Sequence, residues 1–222
     1  MIRDEEGFMQ VAKNAYSASA QAIAGLSVLD SFWQQARTSS PWGLQRWTAS
    51  LLAIHQPERM IPLDCPWWNV VATREIDAFL AARPAARVFE YGSGASTAWL
   101  SRRAREVISV EHHAGWHSRL GELIADRGNV RLWHRDLATP AYVDAIAEAG
   151  GQFDLIVVDG RDRNACLARA MPFLKPDGVI LFDDTGRSRY RSAIRNCGLK
   201  ETRHFGRSYC VPYPDFSSIL HA

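Results

Sequence analysis

The chain has 222 residues, 47% hydrophobic and 23% charged, with a formal net charge of +2. That length holds one sizeable α/β core with an appended subdomain, and so small a charge demands neither nucleic acid nor a membrane surface as partner. The opening Met1-Ile2-Arg3-Asp4-Glu5-Glu6 lacks the apolar core of an export signal, no apolar stretch reaches membrane-spanning length, and Cys65, Cys166, Cys197 and Cys210 have neither zinc nor disulfide spacing. A reducing, cytoplasmic setting is therefore expected.

Val11, Ala15, Ala18, Ala22, Leu26 and Leu29 recur at spacings of three and four, which predicts an amphipathic helix; Leu44, Trp47, Leu51 and Ile54 predict a second. Thr38 to Pro41 reads as the loop between them, and three prolines between Gln56 and Pro66 are expected to break any continuing helix. Residues 1–69 thus read as an N-terminal helical cap, and 70–222 as a second unit. The second unit starts with a helix that carries Ile76, Phe79 and Leu80 on one face and stops near Pro84.

Strands and helices then alternate, with strands near 87–90, 107–111, 130–134, 153–159 and 178–183, followed by two more near 199–205 and 216–221. This order predicts an α/β fold with a doubly wound, mostly parallel, seven-stranded sheet. Asp154 to Asp159 and Gly178 to Asp183 are nearly continuous apolar runs that end in acid, as central strands buried on both faces should be. Ligands of open α/β sheets bind outside the carboxyl ends of the strands, so Glu90, Glu111, Asp136, Asp159, Asp183 and Asp184 are expected on one rim.

Val88-Phe89-Glu90-Tyr91-Gly92-Ser93-Gly94-Ala95-Ser96-Thr97 runs from a buried strand into a glycine turn. Gly92 and Gly94 let the backbone turn sharply and approach a ligand. A carboxylate at Glu90 would oppose a pyrophosphate and favour a cationic ligand instead. S-adenosylmethionine, with a sulfonium, an ammonium and no phosphate, has that charge pattern. Glu111 lies 19 residues beyond Gly92, where a doubly wound fold puts the acid that binds ribose hydroxyls; the other reading is a solvated charge at a strand end.

In order, E-Y-G-S-G at 90–94, S-V-E at 109–111, H-R-D at 134–136, F-D-L-I-V-V-D-G at 153–160 and L-K-P-D-G-V-I-L-F-D-D at 174–184 resemble the class I S-adenosylmethionine-dependent methyltransferases, a Rossmann-like family, across residues 67–222. Its small-molecule branch of bacterial type is the nearest in character. The resemblance implies that Gly92 and Gly94 lie against the methionine part of the cofactor, with Glu90 near its amino group. Glu111 would hold the ribose hydroxyls and Asp136 the adenine amino group, while Leu137 or His112 would cover the ring. His112 and His113 also read as solvated histidines at a strand end. Thr97 stands where a dinucleotide loop needs its third glycine, which disfavours the alternative of a nicotinamide-dependent oxidoreductase. A cofactor-binding protein without turnover is a further alternative.

On the acceptor side, Asp159, Asp183 and Asp184 place three carboxylates around one crevice. Catechol-type O-methyltransferases hold a metal at these two strand ends with an Asp and an Asp-Asn pair. Here the pair is Asp-Asp, whose oxygen ligands and extra charge are compatible with magnesium. Without metal, Asp159 or Asp184 would serve as general base or acceptor clamp; the Asp pair also reads as a turn cap. Between Gly186 and Cys210, seven basic residues face only Glu201. Arg187 and Arg189 would steer an anionic acceptor if they border the crevice, or lie on a solvated helix face. Trp67 and Trp68 would close the site or fasten the cap to the core. The expected reaction is methylation of a small molecule, on oxygen. A nucleic-acid acceptor is disfavoured because the basic residues are not interleaved with aromatics. The cap is a candidate homodimer surface.

Overall fold

The structure, a computed structural model, describes residues 16–222, so Met1 to Glu6, Val11 and Ala15 lie outside the described residues. Residues 16–24 are helical, and α1 (Asp30–Thr38), α2 (Leu44–Leu52) and α3 (Pro57–Leu63) follow. The apolar stripe differs from the sequence reading: Ala20 and Ala24 are buried, whereas Ala18, Ala22, Leu26 and Leu44 are exposed. A turn at Gly25 and a short 3-10 segment, Ser27–Leu29, interrupt the helix, so one spacing does not run through to Leu29. Nor do the prolines after Gln56 prevent a helix. Pro57 occupies the first turn of α3, where its missing N–H costs nothing, and Pro62 sits one residue before the end. Buried Arg46 donates to the carbonyls of Ala36, Arg37 and Ser39, satisfying acceptors at the end of α1 that no helical partner reaches.

The remainder alternates as α4 (Val70–Ala81), β1 (Arg87–Tyr91), α5 (Ala95–Ser101), β2 (Glu106–Glu111), α6 (Ala114–Leu123), β3 (Val130–His134), α7 (Ala141–Ala149), β4 (Phe153–Val158), α8 (Arg163–Ala170), β5 (Leu174–Asp183), α9 (Ser188–Asn196), β6 (Lys200–Arg207) and β7 (Pro214–His221). The seven strands form one sheet in the order β3-β2-β1-β4-β5-β7-β6, with β1 to β5 parallel and β7 antiparallel to both its neighbours. Every residue of β4 is buried, because helices cover both faces of the sheet.

Alternation along the strands sorts the core into two halves. Val88, Val107, Leu155, Val157 and Leu181 pack with Ile76 and Leu80 of α4 and Trp99 and Leu100 of α5. Phe89, Tyr91, Ile108, Ile156, Val158 and Phe182 pack against Tyr142 and Ile146 of α7, Leu167 of α8 and Ile194 of α9. A third cluster joins the N-terminal helices to Tyr209 and Cys210, in the connection between β6 and β7. Asn69 locks this junction. Its Oδ1 caps α4 by accepting from the N–H groups of Val71 and Ala72, while its Nδ2 donates to the Asp215 carbonyl. Trp47 Nε1 donates to the Ser208 carbonyl, the Tyr209 N–H to the Trp68 carbonyl and the Cys210 N–H to Ser50 Oγ. Among the described residues no helix is long and apolar enough to cross a membrane.

Candidate active site

The strand order reverses between β1 and β4, and this switch point opens a crevice at their carboxyl ends. Register pairs Tyr91 with both Val110 and Val158, and Val158 with Phe182, so β2, β1, β4 and β5 end nearly level. Gly92 follows β1 at φ +92°, and a Cβ there would lie 2.7 Å from Gly160 Cα. Glycine is therefore required by the turn and by the close approach of the two loops. Gly160 is packed as tightly, since a Cβ on it would overlap the Tyr142 hydroxyl. Gly94 differs: its backbone is extended, and the nearest atom to a would-be Cβ is Ser96 Oγ at 3.9 Å.

The resulting cleft has a volume of about 1190 Å³. One end holds Gly92, Ser93, Gly94, Glu111, His112 and Trp116, the other Asp159, Arg161, Arg163, Asp183, Asp184, Arg187 and Arg189. His55, Gln56 and Trp67 from the N-terminal segment, and Val211 to Tyr213 from the β6–β7 connection, also line it.

Glu90 is not at the mouth of this cleft. It is fully buried behind the loop, where Ser96 Oγ donates to it at 2.5 Å, Thr97 Oγ1 at 2.6 Å and Ser109 Oγ at 2.7 Å. Burial lifts its carboxyl to about 7 against the pull of those hydroxyls. Its neutral form thus favours the fold below its ordinary value of 4.5, and that stabilisation is lost as pH rises toward 7. Between pH 5 and pH 8, Glu90→Gln should remove about 2.5 kcal/mol of the wild-type stability loss seen in thermal melts.

Glu111 does reach the wall. One oxygen accepts from Ser93 N–H at 3.2 Å and Ser93 Oγ at 3.1 Å, the other from the N–H groups of His112 and His113 at 2.9 and 2.8 Å. His112 Nδ1 lies 2.9 Å from the same carboxylate, and Trp116 Nε1 donates to the Ser93 carbonyl. Asp136 and Leu137 are exposed on the loop after β3, outside the cleft walls; Asp136 accepts from the Ala138 N–H instead.

At the other end, Trp68 is wholly buried and lines nothing, in contrast to Trp67. Its Nε1 donates to Asp159 Oδ2 at 3.1 Å, so it orients the acid at the end of β4. Arg163, on the first turn of α8, reaches Asp159 Oδ1 at 2.9 Å and Asp184 Oδ2 at 3.2 Å, and lies 4.0 Å from Asp183 Oδ2. Arg187 also pairs with Asp184, at 2.7 Å, and Ser217 Oγ donates to Asp183. Burial lifts Asp159 to about 6, helped by the Asp184 charge and opposed by Arg163 and Trp68. Asp183 is pushed well above its ordinary value by burial and by Asp159 and Asp184 beside it.

The magnesium alternative finds no support here. Among the described residues no three His, Cys, Asp or Glu side chains are arranged to hold a metal ion, and a guanidinium bridges Asp159 and Asp184. The i,i+4 spacing of Asp159 and Arg163 was visible in the sequence, but their burial was not. Trp116, His55 and Tyr213 carried no motif and enter the site only through folding. Arg191 leaves the expected basic field, since both its terminal nitrogens pair with Glu201 at 2.7 Å.

A sheet of this order with a glycine loop at its switch point defines a class I methyltransferase fold. Residues 89–185 match the family model described as Methyltransferase domain. Among solved structures, a provisionally assigned O-methyltransferase from Klebsiella pneumoniae is 20% identical with a TM-score of 0.55, over 80% of this chain and 98% of its own. Precorrin 8w decarboxylase from Methanobacterium thermoautotrophicum is 18% identical with a TM-score of 0.53, over 71% and 93%. A provisionally assigned methyltransferase from Streptococcus mutans, in complex with SAH, is 13% identical with a TM-score of 0.50, over 68% and 97%. Comparison with curated proteins returned no match.

Proposed function

We propose that the protein transfers a methyl group from S-adenosylmethionine to oxygen on a small, anionic acceptor. The observation that carries this reading is one cleft that joins a glycine cradle at β1 to a half-buried carboxylate with a raised proton affinity at β4. The cradle fits the cofactor: Gly94 leaves its floor open, Glu111 offers a carboxylate toward ribose hydroxyls, and His112 and Trp116 give flat surfaces beside the base. When bound, the cofactor supplies a methyl carbon already activated by a sulfonium.

The chain's own part is alignment, proton removal and exclusion of water. Asp159 stands at the end of β4 and would accept the acceptor's hydroxyl proton during transfer. Trp68 and Arg163 hold it from behind. Arg161, Arg187 and Arg189 line the same end and are exposed, which suits an acceptor bearing a carboxylate or phosphate. His55, Trp67 and Tyr213 also line the cleft.

Calorimetric titration with S-adenosylhomocysteine and, separately, with NAD tests the cofactor; binding of NAD alone would overturn the reading. Labelled methyl transfer onto pools of phenols, sugars, carboxylates and amines tests the acceptor. With the base lifted to about 6, the rate at saturating substrates should rise from pH 5 to pH 7 and level above it. A profile that falls over that range would remove Asp159 as base.

A further inference from the structure

We infer that Arg163 is a built-in cation: its guanidinium does the charge-neutralising and carboxylate-orienting work of a divalent metal at the ends of β4 and β5, and its removal converts the same acids into a metal site. Three observations meet at this residue. Its side chain is 9% exposed, so the positive charge is held inside the cluster and not offered to solvent. It touches two of the three acids, Asp159 at 2.9 Å and Asp184 at 3.2 Å, and sits 4.0 Å from the third, Asp183. Its position is also over-determined by the backbone: Nε donates to the Gly160 carbonyl at 3.0 Å, Nη2 to the Asp159 carbonyl at 2.9 Å and Nη1 to the Asp183 carbonyl at 2.5 Å.

Nε and Nη1 donate to carbonyls, while Nη2 is shared between the Asp159 carbonyl and the carboxylates of Asp159 and Asp184. A guanidinium has five N–H groups in a rigid planar fork, and a lysine could not span strand ends and acids together. Arg163 therefore fixes where the Asp159 oxygens point, as a positioning residue. Without it, Asp159, Asp183 and Asp184 would be close, buried and uncompensated, an arrangement that either protonates or captures a hard cation.

The test uses the full chain and manganese chloride as probe, read by thermal melting with no substrate present. Wild-type protein should melt at the same temperature in millimolar manganese and in EDTA, and its methyl transfer should survive chelation. Arg163→Ala should melt about 5 °C or more higher in manganese than in EDTA. Arg163→Gln, which keeps most of the volume, should respond in the same direction. Rescue of a misfolded Arg163→Ala by manganese also supports the inference. Arg163→Lys should keep the melting temperature insensitive to metal while lowering kcat, because charge is retained but the fork is lost.

A wild-type enzyme whose transfer is lost on chelation and restored by magnesium would overturn the inference. So would folded Ala and Gln variants that ignore manganese, or variants that stay insoluble with manganese present. The inference rests on the methyl-transfer reading for the kcat and chelation arms alone. Manganese melting is independent of turnover, and the S-adenosylhomocysteine titration of wild-type protein decides that reading separately.

Discussion

Asp159→Asn is expected to lower single-turnover methyl transfer by about 10²–10⁴-fold and to leave S-adenosylhomocysteine affinity unchanged. The substitution is nearly isosteric. Its one side-chain oxygen can accept from Trp68 Nε1 or from Arg163 Nη2 but not from both, so the residue keeps one of its two anchors and loses its capacity to take a proton. Burial makes the wild-type carboxylate costly, as its rise to about 6 reports, so the neutral amide should keep or raise the melting temperature. Lost turnover in a protein that melts no lower and binds the cofactor product normally isolates the chemical role. Turnover near wild-type would remove Asp159 from the reaction and leave Asp184 as the acid to test.

Gly92→Ala and Gly94→Ala should part company just as sharply. At Gly92 the alanine meets two penalties, a φ of +92° that L side chains rarely adopt and a Cβ 2.7 Å from the Gly160 backbone, which no rotamer change can relieve. A loss of about 3 kcal/mol in urea unfolding is expected, together with loss of cofactor binding, since the two loops form the cradle between them. At Gly94 the backbone is extended and the space is open, so alanine should leave stability within about 0.5 kcal/mol. Its methyl group would occupy the floor of the cleft instead, weakening S-adenosylhomocysteine binding in a fully folded protein. Equal stability losses in the two variants would contradict the division of roles between the glycines.

The succession of strands was legible because central parallel strands covered on both faces read as nearly continuous apolar runs, and β4 and β5 each lead into an acid. Helix faces near the N-terminus were less so. Ala18, Ala22 and Leu26 have helical spacing, yet the chain turns at Gly25 and buries Ala20 and Ala24. Proline was also misleading, because its meaning depends on position: Pro57 starts α3 where the reading expected a break.

At the site, the sequence by itself determined the glycine turn, the rim acids Glu111, Asp159, Asp183 and Asp184, and hence the class of reaction, because a backbone turn and a strand end are local properties of the chain. What each acid does was decided by tertiary structure alone. Glu90 is drawn behind the loop by three hydroxyls, two of them in α5 and one in β2. Trp68 is turned inward to hold Asp159 across 91 positions of sequence, and Arg163 takes the place between the acids that a metal would fill. Burial and the neighbours it enforces set the charge of a carboxyl group, and both come from residues far apart in the chain.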